Sequence, residues 1–212
     1  MDALKHFLAE SVSRHKSLCP RQVLGIRIGL AGAAALDMAV PRADKRLLVI
    51  VETDGCFVSG VEVVTGCGVG HRTLRVEDYG KVAATFVDVK NSRAVRVAPR
   101  LDVRQRAPDY APDQEGRYNT MLFGYQRMPR EELLSIEEVS LIIPLESIVS
   151  RAGVRVNCDD CGEEIINERE IIQNGFKLCR SCAGSEYYHS SIPQESITDL
   201  LISQKIFVGT QG

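Results

Sequence analysis

The sequence contains no run of about 18 apolar residues, the length a membrane-spanning helix requires, and no internal repeat or low-complexity tract. Those absences exclude an integral helical membrane protein and a repeat solenoid. Nor does either sign of charge dominate, since the formal net charge over 212 residues is −2. Up to residue 150 basic residues exceed acidic ones by one; beyond it acidic residues lead by three. Neither part suits a polyanion, so nucleic acid is not an expected partner. The first residues, MDALKHFLAESVSRHK, lack the apolar centre of a signal peptide and read as an amphipathic helix. A cytoplasmic protein without membrane attachment is the expectation.

Against these absences stands an ordinary globular composition, 44% apolar and 25% charged, with enough length for one good core and a small satellite. Seven cysteines in an unsecreted chain point to reduced thiols and metal ligands rather than disulfides. Four of them form two CxxC pairs, Cys158/Cys161 and Cys179/Cys182, with 17 residues between the pairs. A tetrahedral zinc ion takes four such thiolates, and a gap of this length accommodates one hairpin, turning at Asn174-Gly175. Ile165, Ile166, Ile171, Ile172, Phe176 and Leu178 supply a minimal core too small to fold without the metal. A helix after Cys182 would make the module a treble clef. The division expected is a core domain over 1–150 and a four-cysteine zinc finger with C-terminal tail over 151–212.

In the core domain, Leu4, Phe7, Leu8 and Val12 mark one face of a first helix. Pro20 suits the first position of a second, rich in glycine and alanine and mostly buried. Cys19 then occupies its cap, a position that favours thiolate. The run Leu47–Val51 reads as a buried strand ending at Glu52-Thr53-Asp54-Gly55. Phe57, Val58, Val61 and Val64 then predict a short helix that ends at Thr65-Gly66 and carries Cys56 in its first turn. Alternation over 73–77, 82–89 and 94–97 predicts three antiparallel strands. Residues 99–129 read as a surface excursion, Arg130–Leu134 as a short helix, and 138–143 as a strand returning to the sheet. The fold class is α+β, a mixed or antiparallel sheet packed with helices, plus the finger.

Two chemical constellations stand out in this domain. His15, Cys19, Cys56 and Cys67 are ligands suited to zinc, nickel or another borderline-soft metal, with Asp54 or His71 to complete or orient the set. Read one at a time, Cys56 and Cys67 are equally small buried fillers and His15 a surface residue. Cys19, Cys56, Asp54, Tyr79 and Lys81 are candidates for catalysis through a thiolate or a metal-bound water, although Asp78-Tyr79-Gly80-Lys81 also reads as a tight turn.

Taken together, His15-x3-Cys19-Pro20 with Leu24-Gly25 and Gly29, Val51-Glu52-Thr53-Asp54-x-Cys56, Thr65-Gly66-Cys67 and the stretch from Asp78 to Phe86 resemble the FmdE family, named for one of the subunits of formylmethanofuran dehydrogenase. The likeness covers residues 14 to 100 and the tail. It implies an α+β core, often dimeric, with an auxiliary treble-clef zinc finger in some members. The family's first motif usually reads His-Gly-His-Leu-Cys-Pro-Gly. Here Ser17 replaces the second histidine and Arg21 the glycine, and His71 stands where a lysine is usual. The expectation is a homodimeric, metal-binding accessory protein linked to one-carbon or molybdenum/tungsten-enzyme metabolism, with structural zinc, a second transition metal in the core and a metalloenzyme partner. The alternatives are a metal- or thiol-dependent enzyme acting on a small molecule in the core cleft, and a zinc-finger regulator. The homodimer is expected to use the Pro20–Met38 helix and the Leu47–Val51 strand, whose apolar surface exceeds what one modest sheet should cover.

Overall fold

A computed structural model describes residues 3–189. The chain divides into two compact units, Met1–Val149 and Ser150–Gly212. In the first, helices α1 (Ala3–His15) and α2 (Pro20–Ala35) precede strand β1 (Leu47–Val51), helix α3 (Cys56–Thr65) and strands β2 (Leu74–Val76), β3 (Ala84–Asp88) and β4 (Arg93–Pro99). The excursion that follows is folded: α4 (Val103–Arg106), a 3-10 turn at Ala107–Tyr110 and α5 (Arg117–Arg127). Then come α6 (Arg130–Leu133), β5 (Leu134–Val139) and α7 (Leu145–Val149). The five strands lie in the order β2-β1-β3-β4-β5.

Two strand expectations change. β2 runs parallel to β1, Val49 opposite Leu74, whereas the other pairs are antiparallel. The cause is α3, because a helical connection returns the chain to the start of the sheet, as a crossover between parallel strands does. The returning strand is 134–139 rather than 138–143, since Leu134 and Ile136 pair with Pro99 and Val97. Residues 141–148 instead fold back, and Leu141, Leu145 and Ile148 cover Leu48, Val87 and Ala94 on one sheet face.

The other face carries the main core. Leu47, Val49, Val51, Phe86, Val95 and Val97 pack there with Leu24 and Ile28 of α2 and Phe57 and Val61 of α3. Helices α2 and α3 touch through glycines. A methyl group added at Gly25 would drive into the Phe57 carbonyl, and one at Gly60 into the Gln22 carbonyl. Gly29 packs on Val64 with the same sequence offset as Gly25 on Gly60, so the helices run side by side in one direction. The apolar surface of α2 and β1 is therefore covered within the chain.

The second unit has strands β6 (Arg155–Asn157), β7 (Glu164–Ile166), β8 (Ile171–Gln173) and β9 (Phe176–Leu178), paired as β6-β7 and β8-β9. The hairpin turns at Asn174-Gly175, both at positive φ. Of the six residues expected to form a small core, Ile165 is buried, while Ile166, Ile171, Ile172 and Phe176 are exposed. Three-residue strands have too little area to enclose six large side chains. Residues 180–184 form a turn. The helix that would complete a treble clef does not appear through residue 189, and any later part of it lies outside the described residues.

Candidate functional site

The four tail cysteines converge. Their sulfur atoms all lie within 4.8 Å of one another, and Cys161 Sγ is 3.9 Å from Cys179 Sγ. Tetrahedral zinc with Zn–S bonds near 2.3 Å sets its sulfurs about 3.8 Å apart, so the four fit the ion. Each pair sits on a turn whose backbone amides serve the sulfurs. Cys179 N–H donates to Cys158 Sγ at 3.3 Å, and Cys182 N–H donates to Cys179 Sγ at 3.4 Å. The two turns are tied by Asp159 N–H to the Lys177 carbonyl at 2.8 Å and by Lys177 N–H to Asp159 Oδ2 at 2.6 Å. The amide of Cys179 is the main reason the Cys158 thiol falls to about 6. Cys182 is pushed strongly up, first by the neighbouring Asp160 and then by the other thiols. A divalent cation would reverse that mutual repulsion, as closed four-thiolate sites do.

In the core, two of the expected four ligands meet. Cys19 caps α2 in extended conformation, with φ −123° and ψ 160°. Its Sγ accepts from Gln22 N–H at 3.4 Å while its own N–H donates to Gln22 Oε1 at 2.8 Å. This is a capping box with a thiol in the serine position. The Cys-x-x-Gln spacing carried that signal in the sequence, although the reading there stopped at the cap. Cys56 opens α3 after Gly55, whose φ of 77° turns the chain out of β1. Because α2 and α3 run side by side, the two thiols become neighbours, with Cys56 exposed and Cys19 half-buried. The cap position was expected to favour the Cys19 thiolate. Instead burial raises its pKa, Cys56 adds to the rise, and the Gln22 amide offsets only part of it.

His15 and Cys67 do not join this pair. Cys67 is 3% exposed and its thiol donates to the Leu47 carbonyl at 3.4 Å. Leu47 begins the strand whose far end leads to Cys56, about 13 Å away at the rise of an extended chain. Burial also raises the Cys67 thiol. His15 is exposed on the last turn of α1, in electrostatic range of Glu62. Burial lifts the Glu62 carboxyl above the usual range, with Arg14 and His15 opposing. His71 lies near Gly68 on the same side as the Glu62 carboxylate. Among the described residues no group of three His, Cys, Asp or Glu ligand atoms comes together in the core. Two thiolates fit a soft ion only as part of its coordination.

Asp54 is exposed in the turn before Cys56. Tyr79 and Lys81 belong to a tight turn whose two backbone N–H groups both donate to the Glu52 carbonyl at 3.0 Å. Gly80 supplies the positive φ, and Asp78 Oδ1 accepts its N–H at 3.0 Å. Tyr79 is 68% exposed, with the Lys81 ammonium 6.0 Å over its ring. The turn thus stands on the residue that follows β1, at the same end of the sheet as Cys56. Two residues absent from the sequence reading brace this end. Arg96 holds the Glu52 carboxylate at 2.5 and 2.7 Å, and the Tyr118 hydroxyl of α5 donates to the Leu18 carbonyl at 3.0 Å, one residue before Cys19. Tyr118 lies in a stretch without periodicity, so nothing in the sequence linked it to the loop it holds.

Comparison with known proteins agrees with this geometry. Residues 151–188 match the family described as prokaryotic dksA/traR C4-type zinc finger. A curated relative, a probable S-adenosyl-L-methionine-binding protein of Archaeoglobus fulgidus, is 28% identical over 202 residues. That match covers 87% of this chain and 54% of the relative, so the chain spans about half its length. The crystal structure of an FmdE-like protein of the tungsten formylmethanofuran dehydrogenase type, from Syntrophus aciditrophicus, superposes with a TM-score of 0.53 at 22% identity, covering 88% of this chain and 95% of that one. It supports the fold. Among the described residues no helix is long and apolar enough to cross a membrane. Residues 14–135, more than half of the chain, match the family described as FmdE, molybdenum formylmethanofuran dehydrogenase operon, and the chain belongs to that family.

Proposed function

We propose that this chain is a metal-binding accessory protein of one-carbon metabolism, serving a molybdenum- or tungsten-dependent enzyme as its partner. In this reading the finger holds one structural zinc and the core presents Cys19 and Cys56 to a second, soft metal ion. The observation that carries it is the meeting of those two thiols at the starts of two parallel helices, outside the closed four-cysteine site. With only two protein ligands, the core ion would keep open positions for exchange, as suits delivery rather than storage. Homodimerisation belongs to the same proposal but moves to another surface. Strand β5 is a sheet edge with Ile136 exposed, and it can pair with its own copy.

Native mass spectrometry of protein purified without oxygen or added metal tests both parts at once. The expected species is a dimer with more than one metal per chain. A variant with all four tail cysteines replaced by serine should retain metal that is lost when Cys19→Ser is added. Complete metal loss in the folded tail variant would remove the core site, and a spectrum of single chains would remove the dimer.

The end of the sheet favours a second reading, a small-molecule enzyme. The β1-α3-β2 crossover sets a helix start and an exposed thiol just beyond parallel strand ends, where α/β proteins commonly hold ligands. The name of the Archaeoglobus relative makes S-adenosylmethionine the first compound to add in that spectrum. A bound adduct abolished by Cys56→Ser would favour this reading over metal delivery.

A further inference from the structure

The neighbouring thiols differ in access, and that difference has chemical content. Cys56 is exposed on the first turn of α3, whereas Cys19 is half-buried in its capping box. The helices whose starts carry them are locked by backbone contacts at Gly25 and Gly60, so the two helix starts keep a fixed place relative to one another. Cys67 sits at the other end of β1 with its thiol on the Leu47 carbonyl, and the remaining four cysteines converge on the zinc geometry. One accessible thiol with one shielded thiol beside it is the arrangement of an attacking and a resolving cysteine.

We propose that Cys19 and Cys56 form a redox-active dithiol that exchanges with low-molecular-weight disulfides and closes to an internal disulfide. In the first step the Cys56 sulfur, its proton lost to water, attacks one sulfur of the small disulfide. That S–S bond breaks, a mixed disulfide forms on Cys56, and one small thiolate leaves and takes up a proton. In the second, the Cys19 sulfur attacks Cys56 Sγ, forming the Cys19–Cys56 bond and expelling the second small thiolate, which takes up the proton Cys19 gave up. Two protein thiols are oxidised and one small disulfide is reduced to two thiols, so electrons and protons balance without another reactant. Cys19 is shielded in its capping box, which leaves the first attack to its exposed neighbour. The inference rests on the thiol pair of the proposed core site and deepens it, because a closed disulfide cannot bind the soft metal that the open pair accepts.

The test uses the full zinc-loaded chain, reduced, freed of reductant without oxygen, divided for metal analysis, and then exposed to oxidised glutathione. Alkylation and peptide mass spectrometry follow. The wild type should give a peptide pair joined through Cys19 and Cys56, with two glutathione molecules released per chain. Cys19→Ser should hold one glutathione on Cys56, and Cys56→Ser should react about tenfold more slowly or worse, because its remaining core thiol is shielded. A wild type that keeps glutathione on Cys56, or whose Cys19 and Cys56 are both alkylated after the same exposure, overturns the proposal. The metal analysis separates the two ideas: core metal without a bridge defeats only the dithiol, and a bridge without core metal defeats only metal delivery.

Discussion

Asp88 is 1% exposed at the end of β3, and its carboxylate survives there because Arg46 donates to both oxygens at 3.0 and 2.6 Å while Lys90 N–H adds a third bond at 3.0 Å. Those bonds, Arg46 first, hold its pKa below the usual carboxylate range. A depressed acid contributes stability that is complete above its unfolded pKa of about 3.9 and is lost as pH falls through the folded value. Arg46→Met would leave the buried Asp88 carboxylate without its main partner and should lower stability at pH 7. Denaturant melts of both proteins should show that difference shrinking as pH falls and Asp88 protonates, first in the variant, whose unpaired buried carboxyl holds its proton more tightly, and last in the wild type. A difference independent of pH would mean that Arg46 acts through packing alone. This pair was invisible in the sequence, where 42 residues separate its members. Cys19 was legible because a cap and an N1 proline are local signals. The rise of its pKa was not, since burial comes from elements distant in the chain.

Helix α2 shows how far local signals reach. Its glycines do permit close approach, as their spacing suggested, but the approaching backbone is α3 of the same chain. Sequence spacing tells that a helix face is small, not what lies against it. The direction of β2 escaped for a related reason: alternation identifies a strand without its orientation, and here the connecting helix decided it. Gly25→Ala should cost about 3 kcal/mol or more, because the added methyl meets a backbone carbonyl that cannot rotate away. It should also slow closure of the Cys19–Cys56 bridge by separating the helix starts. Chemical denaturation reads the first effect and the rate of glutathione release the second. A stable variant with unchanged closure would show that the glycine contact does not set the thiol geometry.

The molecule has two units stabilised by different means. The first buries a contiguous apolar core between sheet and helices, while the described residues of the second bury little beyond Ile165 and Cys158. A strong chelator should therefore make four further thiols reactive and abolish the finger's dispersed amide signals in NMR, while those of the core keep their positions. Loss of both sets together would make the core depend on the finger. The CxxC pairs made this division readable, since metal spacing is written along the chain. The failure of the six flanking apolar residues to form a core was not readable, because three-residue strands leave side chains on both faces.

Helix α5 is fastened at both ends to the α2 region. Near its start the Tyr118 hydroxyl holds the Leu18 carbonyl, and at its finish the Arg27 guanidinium takes the carbonyls of Tyr125 and Met128 at 2.8 Å and of Gln126 at 3.1 Å. Arg27 thereby occupies the acceptors a helix leaves open at its C-terminus. Between β4 and α5, residues 100–116 pack into the same unit, with Val103, Ala107 and Ala111 buried and Asp113 paired with Arg127. A change in length between 117 and 128 would therefore move one fastening off its partner and loosen the loop that carries Cys19.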